Sequence, residues 1–270
     1  MLDFFRRKRD DAEWQLDGFL ERRVNRTNDD LVDRIERDAL YDGTDRPALH
    51  IDDPRIIAAL RRVDRKLFIP ENEKSSGGNQ YYLFGADVPD DAHELPSKAC
   101  AYADLPVHIG KEMTCSQPSL VAYMIQLLDV KPGMNVLEVG SGCGYAAAIL
   151  AELGARVVGV ERVWQLHILG QQNAQAHFGP EWMKRTLLLH TNGLHGFPAE
   201  GPYDRIMMSA RPPEGFDLRP LIEQLREQTG ILLFPDDWLI QRRYDKGIPV
   251  EGKCELQVHF VPLKEGKDWE

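Results

Sequence analysis

The run Val136-Leu137-Glu138-Val139-Gly140-Ser141-Gly142-Cys143-Gly144-Tyr145 holds the densest chemical information in the sequence. It reads as a buried strand that enters a glycine-rich turn and leaves as a helix. Glycines let the backbone approach a ligand closely, and the helix that follows offers unpaired N–H groups. The spacing is Gly-x-Gly-x-Gly with Glu138 two residues before the first glycine, whereas a dinucleotide fingerprint is Gly-x-Gly-x-x-Gly. An acid at that place can hold an ammonium group instead of a pyrophosphate. The next apolar run ends on Glu161, 21 residues after Gly140, close to where a carboxylate receives both ribose hydroxyls in sheets of this kind. Turn and acid together imply an adenosine-bearing ligand, against the plainer reading of a tight turn and a surface glutamate. A second constellation, Thr114-Cys115-Ser116-Gln117-Pro118, leads into an amphipathic helix, so Ser116 reads either as a reactive-site hydroxyl or as a helix cap.

These residues need a scaffold, and the chain supplies an alternating one. Apolar runs at 135–140, 156–161, 186–191, 203–210 and 230–235 are separated by amphipathic segments near 117–129, 144–153, 163–177 and 217–227. Such alternation means a mostly parallel sheet with helices on both faces. Two further runs, Trp238–Tyr244 and Glu255–Leu263, flank a turn-rich 245–249 and predict a closing antiparallel hairpin. Residues 1–70 read as an N-terminal helical extension. Its apolar residues (Trp14, Leu16, Phe19, Leu20, then Leu31, Val32, Ile35, Leu40) fall at helical spacing, Asn28-Asp29-Asp30 sits where a cap belongs, and Pro54 opens a helix to about Lys66. Residues 71–104 carry seven acidic residues against two lysines and read as an acidic loop or lid, leaving 105–270 as the ligand-binding domain.

Composition excludes several functions. The formal charge of −10 repels phosphate backbones and anionic lipid, so neither nucleic acid nor membrane is expected as a partner. No apolar stretch approaches the ~18 residues of a membrane span. Cys100, Cys115, Cys143 and Cys254 lack CxxC pairing and fit neither a disulfide framework nor a zinc ribbon, so a soluble cytoplasmic protein with reduced thiols is expected. His190 and His195 have no third ligand at metal spacing and read as solvated loop residues. Arg211 reads as a rim cation or as an unpartnered surface residue.

The ordered set of segments resembles the protein-L-isoaspartate O-methyltransferase family, a class I S-adenosylmethionine (AdoMet) methyltransferase family. Its AY-x-D-x-PLPIG, TIS-[AQ]-P and LE-[IV]-G-[TS]-G-x-GY segments correspond to Ala101–Gly110, Thr114–Pro118 and Leu137–Tyr145. Val63–Pro70, Asn192-Gly193, Pro202–Ile206 and Val258–Leu263 also match, so the likeness spans about 54–265. The resemblance implies an α/β, doubly wound, mostly parallel seven-stranded Rossmann-like methyltransferase sheet, and methyl transfer from AdoMet to the carboxylate of L-isoaspartyl residues in damaged proteins and peptides. The alternatives are a carboxyl methyltransferase acting on a dedicated peptide aspartate or small acid, and a non-catalytic methyltransferase-like binding module. It places Ser116 and Thr114 at the reacting carboxylate, Cys115, Gln117, Val107 and Ile109 against the peptide, and Glu138, Gly140, Ser141, Gly142, Gly144, Glu161, Asn192 and Gly193 around the cofactor, with no metal. Three departures stand out: Asn192 where the family usually has aspartate, Cys115 where it has isoleucine, and the long acidic stretch.

Overall fold

Capping chemistry sets the first elements of the computed structural model, which describes residues 26–37, 50–71, 97–245 and 248–264. Thr27 and Asp30 exchange backbone-to-side-chain hydrogen bonds (3.0 and 3.1 Å) at the start of α1 (Asn28–Arg37), so the cap falls one residue before Asn28. Asn28 is instead buried and donates to the Leu60 carbonyl (2.9 Å), tying α1 to α2 (Pro54–Arg62). Asp53 caps α2 and Pro54 opens it, as expected. The helix stops at Arg62, short of Lys66, because Asp64 caps a separate 3-10 turn, Arg65–Phe68. The helical readings at Trp14–Leu20 and Leu40, and residues 72–96 of the acidic stretch, lie outside the described residues. The end of that stretch is held in place: Ala101 is fully buried, and Asp104 accepts the Ser119 N–H (2.9 Å).

A short ribbon precedes the main sheet, and the sequence reading did not include it. β1 (Val107–Gly110) pairs antiparallel with β2 (Met113–Cys115), placing Val107 opposite Cys115 and His108 opposite Thr114. Its turn residues, Lys111 and Glu112, both have positive φ (54° and 61°), the handedness that suits a two-residue hairpin. Then come α3 (Pro118–Leu128), β3 (Asn135–Val139), α4 (Tyr145–Glu152), β4 (Arg156–Glu161), α5 (Trp164–Phe178), β5 (Thr186–His190), β6 (Arg205–Met208), α6 (Arg219–Ile222), β7 (Ile231–Pro235), β8 (Trp238–Asp245) and β9 (Ile248–Gln257).

Alternation along the strands builds two cores. Val136, Val157 and Met207 enter the core shared with α1 to α4, while Leu137, Val139, Val158, Val160, Ile206 and Met208 enter the core on the other face. The sheet has seven strands in the order β5-β4-β3-β6-β7-β8-β9, parallel from β5 to β7 and antiparallel beyond. The expected α/β architecture is therefore present. The hairpin differs in register: β9 begins at Ile248, so Pro249 lies opposite Tyr244, and 248–249 continue the ladder instead of turning. The predicted strand Glu255–Leu263 ends early because the chain after Gln257 leaves the sheet, and Pro262 bridges to Arg211 past the end of β6. The predicted helix 217–227 shrinks to the four residues of α6, since the backbone at 225–226 pairs with Tyr203 instead. No helix among the described residues is long and apolar enough to cross a membrane.

Candidate active site

The chain runs outward from β3 through β4 to β5, then returns to lay β6 on the other side of β3. Beyond the carboxyl ends of β3 and β6 the connections diverge, and an open α/β sheet binds its ligand at such a point. A crevice of about 440 Å3 lies there, with Glu138, Gly140, Ser141 and Gly142 on one wall, Met207 and Ser209 beside them, and Thr114, Cys115 and Ser116 also lining it. Phe260 reaches it from the segment after β9.

Glu138 faces this crevice from inside the sheet and is 1% exposed. Its Oε1 accepts the Ser209 hydroxyl (2.9 Å), and its Oε2 is buried without a partner. Burial pushes its carboxyl up to about 8; the Ser209 hydrogen bond and, more weakly, the Ala147 N–H work against that rise, and the nearby Glu161 charge adds to it. A buried acceptor left unmatched is a costly arrangement that a cationic N–H donor would relieve.

The glycine turn is shaped by the neighbouring strand. Gly140 and Ser141 N–H groups both donate to the Val160 carbonyl (2.9 and 3.2 Å), and the Gly142 N–H donates to Glu161 Oε2 (2.9 Å). With these donors engaged, the turn cannot cradle a phosphate as a dinucleotide loop does. Gly140 and Gly142 have positive φ (85° and 51°) and line the crevice. Gly144 does not line it; it opens α4, and a Cβ there would meet the Gly170 carbonyl of α5 at 3.3 Å, so its role is helix packing. Gly159, which the sequence reading passed over, pairs with Glu138, and a Cβ on it would press on Leu188 at 2.5 Å and Ser141 at 3.0 Å. An isolated glycine inside a strand run was the available signal.

Glu161 lies at the end of β4 and lines an adjoining crevice with Ile109, Thr114, Gly142, Arg162 and Leu166. Its Oε1 accepts the Val163 N–H (2.9 Å). Burial raises its pKa, and the hydrogen bonds from the Val163 and Gly142 N–H groups work against that. Each carboxylate oxygen retains a further lone pair for a hydroxyl donor.

The crevice is also lined from β2 and the residues after it. Ser116 is not the helix cap: that position is Gln117, and Asp104 accepts the Ser119 N–H in the first turn of α3. Gln117 donates to Asp104 (3.2 Å) and Ser119 (2.9 Å) and does not line either crevice. Ile109 lies over Gly142, while Val107 is buried in the core opposite Cys115. The segment is fastened by Arg65, fully buried, whose guanidinium donates to the carbonyls of Ala101, Ala103, Leu105, Cys115 and Ser116 (2.8–3.2 Å). The sequence alone marked Arg65 only as part of a matching segment; an arginine among apolar residues at a helix end looks like a surface cation.

Asn192 and Gly193 stand apart from both crevices. The Asn192 Oδ1 accepts the Leu194 N–H (3.1 Å) and caps a short turn, and a Cβ on Gly193 would meet Val139 at 2.7 Å. His190 is a strand residue, correcting its reading as a loop residue: its Nε2 pairs with the Arg162 carbonyl (2.8 Å), and its ring stacks on His167 and meets Trp164 edge-on. Arg211 bridges Asp236 (2.8 Å) and Asp237 (3.0 Å), so it is partnered. No group of three metal-ligating side chains exists among the described residues.

The model of the family described as Protein-L-isoaspartate(D-aspartate) O-methyltransferase (PCMT) matches residues 90–268. The chain belongs to the protein-L-isoaspartate O-methyltransferase family. Members it is similar to include the Protein-L-isoaspartate O-methyltransferase of Methanoregula boonei, 35% identical over 82% of this chain and 89% of that one. That of Methanopyrus kandleri is 33% identical over 87% and 94%. Among solved structures, a putative protein-L-isoaspartate O-methyltransferase from Plasmodium falciparum, in complex with S-adenosyl-L-homocysteine, shares the fold. Its TM-score is 0.66 at 23% identity, covering 90% of this chain and all of that one.

Proposed function

We propose that the chain is an AdoMet-dependent carboxyl methyltransferase that acts on L-isoaspartyl residues of damaged proteins and peptides, the first step of their repair. The observation that carries this is buried Glu138, whose Oε2 has no hydrogen-bond partner, lining the same crevice as Ser116. AdoMet, when bound, supplies an electrophilic methyl on its sulfonium. Glu138 would receive the methionyl ammonium, which calls back into ionised form a carboxyl that burial otherwise protonates. Glu161 would accept the ribose hydroxyls, and Gly140 and Gly142 leave room for the ligand to lie against the backbone.

The acceptor is already ionised at neutral pH, so no general base is needed, only placement and exclusion of water. Ser116 and Thr114 line the place where it would lie, and Ile109 and Cys115 flank it. Arg65 donates to the Cys115 and Ser116 carbonyls from behind, bringing positive charge to the side where an anion must rest. The free thiols of Cys100, Cys115 and Cys143 suit a reducing cytoplasmic setting.

The test is methyl incorporation from labelled AdoMet into an isoaspartyl peptide and its aspartyl twin. A large preference for the isoaspartyl peptide is expected. Equal labelling of both would replace this reading with a general carboxyl methyltransferase, and no AdoMet binding at millimolar concentration would reduce the chain to a binding module.

A further inference from the structure

Ser209 has no task in the methyl transfer described above, yet its place in the fold is tightly set. Met207 lies opposite Glu138 in the β3–β6 ladder, and Ser209, two residues on, falls on the same face just past the end of β6. Its backbone N–H donates to the Val139 carbonyl (2.8 Å), and its hydroxyl donates to Glu138 Oε1 (2.9 Å). Among the described residues this is the only side chain that hydrogen-bonds the Glu138 carboxyl, and Oε2 is the oxygen left over. Thr114, Gly140, Gly142 and Ser209 line both crevices, so Ser209 also stands where the one with Glu138 meets the one with Glu161.

We propose that Ser209 is a positioning residue for the methyl donor: by donating to Oε1 it fixes the Glu138 carboxyl and keeps Oε2 in reserve for the donor's ammonium group. This rests on the reading of the chain as an AdoMet-dependent enzyme. The last torsion of a glutamate side chain is broad and roughly two-fold, so without a partner either oxygen could serve and neither would be held; the hydroxyl selects one. Its single proton is committed to Glu138, so it puts no donor against a cation, and only its lone pairs remain for the crevice. The same bond favours the ionised carboxyl, against the burial that protonates it. Ser209 therefore acts on the amino-acid end of the ligand, through Glu138, and leaves the adenosine end at Glu161 alone.

The full chain and its Ser209→Ala variant are titrated calorimetrically with two ligands. S-adenosylhomocysteine carries the ammonium group, while 5′-methylthioadenosine keeps the adenosine and the thioether but lacks the amino-acid end. The variant is expected to bind S-adenosylhomocysteine about tenfold more weakly, the scale of one hydrogen bond to a charged group, and 5′-methylthioadenosine within about twofold of the parent. Urea unfolding of the unliganded proteins is expected to show the variant's deficit growing from pH 6 to pH 9, because the lost hydrogen bond favours the ionised form and the folded variant keeps its proton to higher pH. Equal weakening of both ligands would make Ser209 a purely structural residue, unchanged affinity for S-adenosylhomocysteine would remove it from the site, and a deficit that does not vary with pH would show that the hydroxyl does not act on the carboxyl; each overturns the proposal. A parent that binds neither ligand overturns the proposed function, and with it the ligand assigned to Oε2, while the pH comparison, made without ligand, still decides whether Ser209 acts on Glu138.

Discussion

Replacing Glu138 with glutamine should make the unliganded protein more stable at alkaline pH while weakening its hold on AdoMet. The carboxyl is pushed from 4.5 to about 8 by burial. A raised folded-state pKa means the folded protein holds the proton that the unfolded chain releases, so the contribution is full below pH 4.5 and is lost as pH rises through about 8. At ~1.4 kcal/mol per unit the loss approaches about 5 kcal/mol by pH 9 and is under about 1 kcal/mol at pH 5. Glutamine keeps the Ser209 hydrogen bond and never ionises, although its buried amide N–H groups lack a partner, at about 1–3 kcal/mol. The net expectation is a gain of ~2–3 kcal/mol at pH 8–9 that vanishes or reverses at pH 5, read by urea unfolding of both proteins at each pH. AdoMet affinity, measured by calorimetry, should fall about tenfold to 150-fold, as one charge-assisted hydrogen bond of ~1.5–3 kcal/mol is removed. A variant less stable than the parent at pH 9, or one that binds AdoMet as tightly, would refute the reasoning.

Two other substitutions separate the walls of the site. Glu161→Ala is expected to raise the AdoMet dissociation constant about tenfold or more, since it removes the ribose acceptor and frees the Gly142 and Val163 N–H groups; unchanged binding by calorimetry takes Glu161 out of the site. Ser116→Ala should lower kcat with little change in AdoMet affinity, and should leave stability within about 0.5 kcal/mol because Ser116 caps nothing; a parallel loss of kcat, affinity and stability would assign it a structural role.

The sheet was legible because its strands are buried on both faces, so their apolar runs start and stop close to where the ladder does: 156–161 was read and Arg156–Glu161 is observed. The positions of Glu138, Gly140 and Glu161 at the ends of neighbouring strands were legible because β3 and β4 are consecutive, parallel and joined by a single helix. What escaped involved partners far apart in sequence. Ser209 approaches Glu138 only because β6 returns beside β3, and Arg65 finds its carbonyls some 36 to 51 residues away. The β1–β2 ribbon was missed because strands of four and three residues carry too little periodicity. The shift of β9 escaped because Pro249 and its neighbours look like a turn, and only pairing with β8 reveals otherwise. Ser116 as a cap was a sound local reading that a long-range partner, Asp104, displaced.

The five carbonyls gathered by Arg65 have a consequence for how this chain can be divided. Its stem rises from the turn after α2, and its grip is on peptide units of the segment that brings Thr114, Cys115 and Ser116 to the crevice. A seam drawn near residue 70 would therefore sever the crevice lining from its support. Here the short helices ahead of the glycine turn are a foundation for the segment from Ala101 to Ser116, and Arg65 joins the two portions.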